Sequence, residues 1–217
     1  MEERNITVTL EKAREWFSSG DATLKEPALQ AFSKDELADS YKRITTFKDA
    51  CESLRLNYDI ISIVTKDIAT YSRASAAMFK LNIIRKAINL GYDLSLTKDP
   101  ENSHIYYPSS VFIKEDSNRF KNSLNSGRIE VIGKIRNEGT LYKVLSGAST
   151  NAGTVGLGSL SSNVCYTDAN IGFFGCATKE IAAHFGKYFG MLITEAKYAD
   201  MVDFEITEDK YRNTEFD

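Results

Sequence analysis

Histidine and cysteine, the residues that most often bind transition metals or form disulfides, are scarce in this chain of 217 residues. The two histidines, His104 and His184, lie far apart in sequence, and there is no Cys-x-x-Cys pair or Asp-x-Asp pattern. The three cysteines are an odd number and widely spaced. We therefore expect reduced thiols, no metal site and no cofactor.

Long apolar runs and an excess of positive charge are also missing. No stretch approaches the roughly 18 to 20 consecutive apolar residues that span a bilayer, and no apolar segment of a secretory signal follows the polar start Met1–Asn5. The 27 basic and 30 acidic side chains give a formal net charge of -3, which argues against binding to a nucleic-acid backbone. We expect synthesis in the cytoplasm, with no membrane and no nucleic-acid partner.

Short capped helices are predicted in the first 57 residues. Thr9 is placed to cap a helix over Leu10–Ser18, whose apolar residues share one face. A second helix is expected to start just before Pro27, because proline is tolerated only in the first turn. Two capping-box spacings, with a hydroxyl followed three residues later by a carboxylate, predict further short helices that begin at Ser33 and Thr46.

Two longer helices are predicted from more regular patterns. Between Ser72 and Leu90, apolar residues recur at intervals of three and four, whereas Lys80 and Asn89 fall largely on the opposite, polar side. The second helix runs from the capping residue Thr178 to about Ala199 and has a comparable apolar face. Each helix is therefore expected to bury one side against the core.

Strands are predicted in the second half of the chain, where the pattern changes to a period of two. Asn137-Glu138-Gly139 predicts a three-residue hairpin loop, and Leu141–Leu145 forms the returning strand. The stretch from Val202 to Ile206 predicts an edge strand. In the first strand of the hairpin, the apolar residues Ile129, Val131 and Ile135 alternate with charged residues.

This order of elements predicts an α+β fold. Short helices and one long helix come first, followed by a mostly antiparallel β region with a hairpin and a long C-terminal helix. Two domain divisions stay open. Either residues 1–57 form a helical arm and residues 58–217 an α+β domain, or the chain is one continuous domain.

One segment departs from the average composition. From Ser146 to Ala177, 32 residues contain a single charge, Asp168, and six of the 13 glycines. Small polar residues with interspersed aromatics are typical of recognition loops; the alternative is a glycine-rich stretch of packed β-structure. Under the first interpretation the candidate binding residues are Ser149, Asn151, Thr154, Ser161, Asn163, Tyr166, Asp168 and Asn170.

Cys176 supports an alternative, enzymatic interpretation. It precedes a helix N-terminus, where the positive end of the helix dipole favours a thiolate. His184 is the nearest histidine, but eight residues span about 12 Å along a straight helix, which is too far for a hydrogen bond. A structural cysteine is therefore favoured, and we assign no catalytic residue.

A family resemblance covers most of the chain and is carried by Ile6–Phe17 with Leu24–Glu26 and Ala28–Phe32, by Ile44–Cys51, by Ala76–Ala87, and by Gly172–Cys176 with His184–Lys187. These runs resemble a family of uncharacterised proteins from gut bacteroidetes and their phages, although Pro27 stands where that family usually has an aliphatic residue. The segment 146–170 is similar, more distantly, to the display proteins of diversity-generating retroelements, whose binding loops lie close to the C-terminus. The resemblance implies a phage or prophage context.

The residues and the resemblance together favour a non-enzymatic interaction protein, associated with the virion or its fibres. We expect it to bind a protein or a surface glycan through residues 146–170, to form a homo-oligomer and to be incorporated in a phage particle. Two alternatives stay open: a small cytosolic enzyme that uses Cys176, and a small-molecule-binding protein of phage–host conflict.

Overall fold

The fold is given by a computed structural model that describes residues 8–18, 21–33, 36–37, 39–90, 108, 110–118, 120–127, 129–147, 175–176 and 178–216. The described residues confirm the predicted α+β class. The α-helices are α1 (Leu10–Ser18), α2 (Ala22–Ala31), α3 (Phe47–Ser53), α4 (Tyr58–Tyr71), α5 (Arg73–Ile88), α6 (Lys121–Asn125) and α7 (Lys179–Tyr198). A short 3-10 helix covers Asp39–Arg43, and the strands are β1 (Ser110–Lys114), β2 (Ile129–Asn137), β3 (Thr140–Gly147) and β4 (Phe204–Asp209).

The helix caps mostly follow the predicted pattern. Lys12 N donates to Thr9 Oγ1 at 3.3 Å, and Thr46 and Asp49 form a complete capping box at the start of α3. Ser33 and Glu36 make the same reciprocal bonds. Because a cap satisfies backbone donors within one turn, these helix starts can be predicted from the sequence alone.

The prediction for α2 was wrong at its start. Asp21 accepts a hydrogen bond from Thr23 N at 2.8 Å, so the helix begins at Ala22 and Pro27 lies inside it. Proline removes one backbone donor and leaves the carbonyl of Thr23 without its helical partner. Both residues are exposed, so water can satisfy that carbonyl.

The four strands form one antiparallel sheet in the order β1-β3-β2-β4. The edge position of β4 agrees with the prediction. The hairpin loop is one residue shorter than predicted, because Asn137 pairs with Thr140 and leaves only Glu138 and Gly139 in the turn. Both turn residues have positive φ, 49° and 74°, as a two-residue type I′ turn requires.

A β-bulge decides which side chains of β2 face the core. Val131 pairs with Leu145 and Gly133 with Val144, so Ile132 is the extra residue. Ile132 is fully buried, whereas Val131 is only half-buried. The prediction that Val131 lies on the same face as Ile135 was therefore wrong. The extra residue, Ile132, puts the side chains after the bulge on the opposite face from the one that strict alternation with Val131 would give them.

Helix α7 lies between the other helices and the sheet. Phe185, Phe189 and Leu192 belong to the main core, which also contains Phe47 of α3 and Leu81 of α5. That core contains side chains from before and after residue 57, the boundary of the predicted helical arm. Met191 of the same helix packs on the sheet, in a cluster whose other buried members are Ile132, Ile135 and Val144. A separate small cluster joins α1 and α2.

Gly133 sets how closely α7 approaches the sheet. A Cβ atom at this position would overlap the Glu208 backbone oxygen and the Met191 sulfur. We expect Gly133→Ala to lower the free energy of unfolding by about 2 to 3 kcal/mol, as over-packing does. Urea denaturation measures the change. Gly139→Ala is the control, because its Cβ has open space and only the positive φ costs energy, about 1 kcal/mol. Equal losses for both variants would contradict this explanation.

Candidate functional site

The eight candidate binding residues, Ser149 to Asn170, lie outside the described residues. Their role stays a prediction. The structure does describe both ends of the uncharged segment, which are Ser146–Gly147 on one side and Gly175–Cys176 on the other.

Both ends of the segment are held by buried structure. Ser146 is buried in β3, where it pairs with Ser110 of β1 and Glu130 of β2. At the other end, Asn89 donates from Nδ2 to the Gly175 carbonyl oxygen at 3.1 Å, and Cys176 is fully buried. The segment therefore starts at an internal strand of the sheet and ends in the helical core.

Cys176 lacks the properties of a nucleophile. Burial raises the pKa of its thiol and outweighs the Arg85 charge and the Asn89 hydrogen bond, which both lower it. The favourable effect expected from the helix N-terminus is therefore overcome by desolvation. Cys51 is also buried, and burial raises its pKa to about 11. Both thiols remain protonated at neutral pH.

His184 is held as a packing residue. Its Nε2 lies 2.7 Å from the Ile44 carbonyl oxygen, to which it donates, and its ring contacts the rings of Tyr41 and Tyr188. Burial lowers its pKa, so the ring is neutral at pH 7. Since Nε2 is already used, this atom is not free to accept a proton from a substrate.

The sequence patterns missed a buried charged cluster between α5, α7 and the C-terminal residues. Lys80 is 5% exposed and donates from Nζ to the carbonyl oxygens of Glu215 at 2.6 Å and Asn213 at 3.3 Å. Glu195 of α7 is also buried and accepts a hydrogen bond from Arg73 Nε at 2.5 Å. Lys80 and Asn89 were both expected on the polar side of their helix, and that expectation was wrong.

The C-terminal residues complete this cluster. Asn213 donates from Nδ2 to the carbonyl oxygens of Thr45 and Tyr188, and Asp209 accepts hydrogen bonds from the backbone and hydroxyl of Thr214. The Phe216 ring covers the Lys80 amine at 4.2 Å from its centroid. These contacts close residues 209–216 over α5 and α7. The Lys80 amine is enclosed by its partners, and the arrangement is that of a structural anchor.

In the part of the chain that the structure describes, no group of three or more His, Cys, Asp or Glu side chains could hold a metal ion. Within the same residues, no helix combines the length and apolar character needed to cross a membrane.

Comparisons with known proteins give no further assignment. No protein-family model matches this chain, and no curated protein or solved structure matches it either.

Thiol labelling tests the interpretation of the cysteines. We expect iodoacetamide at neutral pH to leave Cys51 and Cys176 unmodified in the native protein, because both thiols are buried and protonated. Both should react after denaturation in urea. Peptide mass spectrometry assigns the label to each cysteine. Rapid labelling of native Cys176 would contradict the structural role and revive the enzymatic alternative.

Lys80 predicts a specific pH dependence of stability. Burial, with a smaller effect of the Arg73 charge, lowers its pKa to about 8 from the ordinary value of 10.5. Between these values the unfolded chain binds more protons, so the free energy of unfolding rises with pH. We expect the wild type to gain roughly 2 kcal/mol relative to Lys80→Met from about pH 7 to about pH 10.

The control for this experiment is Lys86→Met, which removes an exposed lysine from the same helix. Its free energy of unfolding should follow that of the wild type across the same pH range. If Lys80→Met also followed the wild type, the Lys80 amine would have an ordinary pKa and the assignment would be wrong.

Proposed function

We propose that this chain is a non-enzymatic interaction protein of phage or prophage type, associated with the virion or its fibres. It contacts a protein or surface glycan through the segment Ser146–Asn170. These residues belong to the uncharged, small-residue segment Ser146–Ala177, and the observation that carries the proposal is that its described ends, Ser146–Gly147 and Gly175–Cys176, are held in buried structure.

The anchored ends support a binding role for the segment. A rigid scaffold that carries a variable segment is the usual arrangement in which loops supply binding residues. Ser146 lies between two neighbouring strands, and the Gly175 carbonyl is bonded to the side chain of Asn89. Anchors of this kind lower the ordering cost that binding must overcome.

The residue types of the segment indicate the chemistry of the ligand. Hydroxyl and amide groups donate and accept hydrogen bonds, and Tyr166 adds an aromatic surface with a polar end. With Asp168 as the single charge, recognition by ion pairs contributes little. A neutral glycan or an uncharged protein surface fits this composition, whereas a phosphorylated or polyanionic ligand does not.

The burial of Cys176 and the bonding of His184 disfavour the enzymatic alternative. Catalysis by a cysteine needs an accessible thiolate and a base within hydrogen-bond reach. Burial keeps the thiol protonated, and His184 Nε2 donates to a carbonyl of the core. Neither requirement is met by this pair.

Exchange of the segment tests the proposal. Replacing residues 148–170 by a Gly/Ser sequence of equal length should abolish binding to host cells and leave the thermal unfolding of the core unchanged. Binding of the fluorescently labelled protein to host cells and to a glycan array is the measurement. A Gly/Ser exchange of Lys98–Ser103, another polar stretch, is the control and should bind normally. Unchanged binding after the 148–170 exchange, or a wild type that binds nothing, would refute the proposal.

A further inference from the structure

Helix α4 is apolar on both sides. Its inner side contacts the main core through Tyr58 and Ile61. Its outer side exposes large apolar side chains to solvent, including Ile60 at 59% and Tyr71 at 92%. The large exposed apolar side chains of this helix are Ile60, Ile63, Val64 and Tyr71, and Leu56 is exposed just before its N-cap. Since the spacing of the four helical residues follows the helical repeat, they lie on one face, which we term the α4 stripe.

The turn that follows α7 is bonded to the residues just after the C-terminal end of α4. Asp200 accepts a hydrogen bond from Ser72 Oγ at 2.5 Å and another from Ala74 N at 3.3 Å. These bonds place Met201 and Val202 beside the Tyr71 end of α4, and Val202 is 85% exposed. Exposed apolar side chains that lie together on one face often belong to an interaction site on a soluble protein.

A carboxylate lies within the α4 stripe. Asp67 is one helical turn after Ile63 and one turn before Tyr71, so it shares their face. Among the described residues, no ion pair to Asp67 is found. The neighbouring Lys66 points about 100° away around the helix axis. Asp203 adds a second exposed carboxylate on the turn beyond Val202. The stripe is therefore apolar with a negative centre and a negative end.

This charge pattern indicates which kind of partner binds the α4 stripe. A second copy of the chain, packed on the same stripe about a two-fold axis near Asp67, would bring two Asp67 carboxylates together in an apolar interface. Like charges so placed are strongly unfavourable. A partner with an apolar face and a central basic side chain would instead pair with Asp67. Amphipathic helices dock on apolar surfaces in this way.

We propose that the α4 stripe binds an amphipathic helix of a partner protein, which places a lysine or arginine against Asp67. The α4 stripe and the segment 146–170 have no residue in common. The proposal therefore does not depend on the function proposed for that segment, and the two can fail independently.

Two synthetic peptides of about five helical turns test the proposal. Both carry a leucine stripe, one with a central lysine and the other with a central glutamate at the same position. Fluorescence anisotropy of the labelled peptides measures binding to the full chain. We expect the lysine peptide to bind at least tenfold more tightly, and Asp67→Lys to reverse the preference. Ile60→Glu combined with Ile63→Glu should abolish binding of both peptides.

Matched controls separate docking from a folding defect. Leu29→Glu alters an exposed leucine on α2 and should leave peptide binding unchanged, while thermal unfolding should show that all variants are folded. Sedimentation at increasing concentration should show no dimer that the Ile60→Glu and Ile63→Glu changes dissociate. Three results would overturn the proposal: such a dimer, equal affinity for the two peptides, or no binding of either at millimolar concentration.

Discussion

Burial of α7 on both of its sides is the constraint on which the rest of the structure depends. Phe185 and Leu192 pack into the helical core, while Met191 packs on the sheet. Gly133 leaves no room for a side chain at that contact. Within the described residues, α7 thereby connects the helical layer to the sheet, and both layers are positioned by the shape of this one helix.

The C-terminal residues stabilise this arrangement from outside the two layers. Residues 209–216 cover α5 and α7 and supply backbone carbonyls to Lys80 and Arg73. Burying charged groups is costly unless each is paired or hydrogen-bonded. Here Glu195 pairs with Arg73, and the Lys80 amine has two carbonyl acceptors. Among the described residues, the lysine whose pKa is most perturbed thus belongs to the packing of residues 209–216 on α5 and α7.

The two proposed binding surfaces are related through α7. The uncharged segment rejoins the described structure at Gly175, just before the N-terminus of α7, and Asp200 fixes the Tyr71 end of α4 just after its C-terminus. A helix of 20 residues is about 30 Å long. The anchor of the segment and the end of the α4 stripe are therefore separated by the length of this helix.

The sequence by itself determined the α+β class, the long helices α5 and α7, and caps such as Thr46 and Thr178, because these depend on contacts within one or two turns. It also located the uncharged segment. It did not predict α4 or its exposed stripe. Only the tertiary structure decided the bulge at Ile132 and the burial of Lys80 and Asn89. The bulge exists only in a paired strand. The acceptors of Lys80 lie more than 130 residues away in the chain. Helical periodicity does not contain this contact and therefore predicted, wrongly, that the lysine is exposed to solvent.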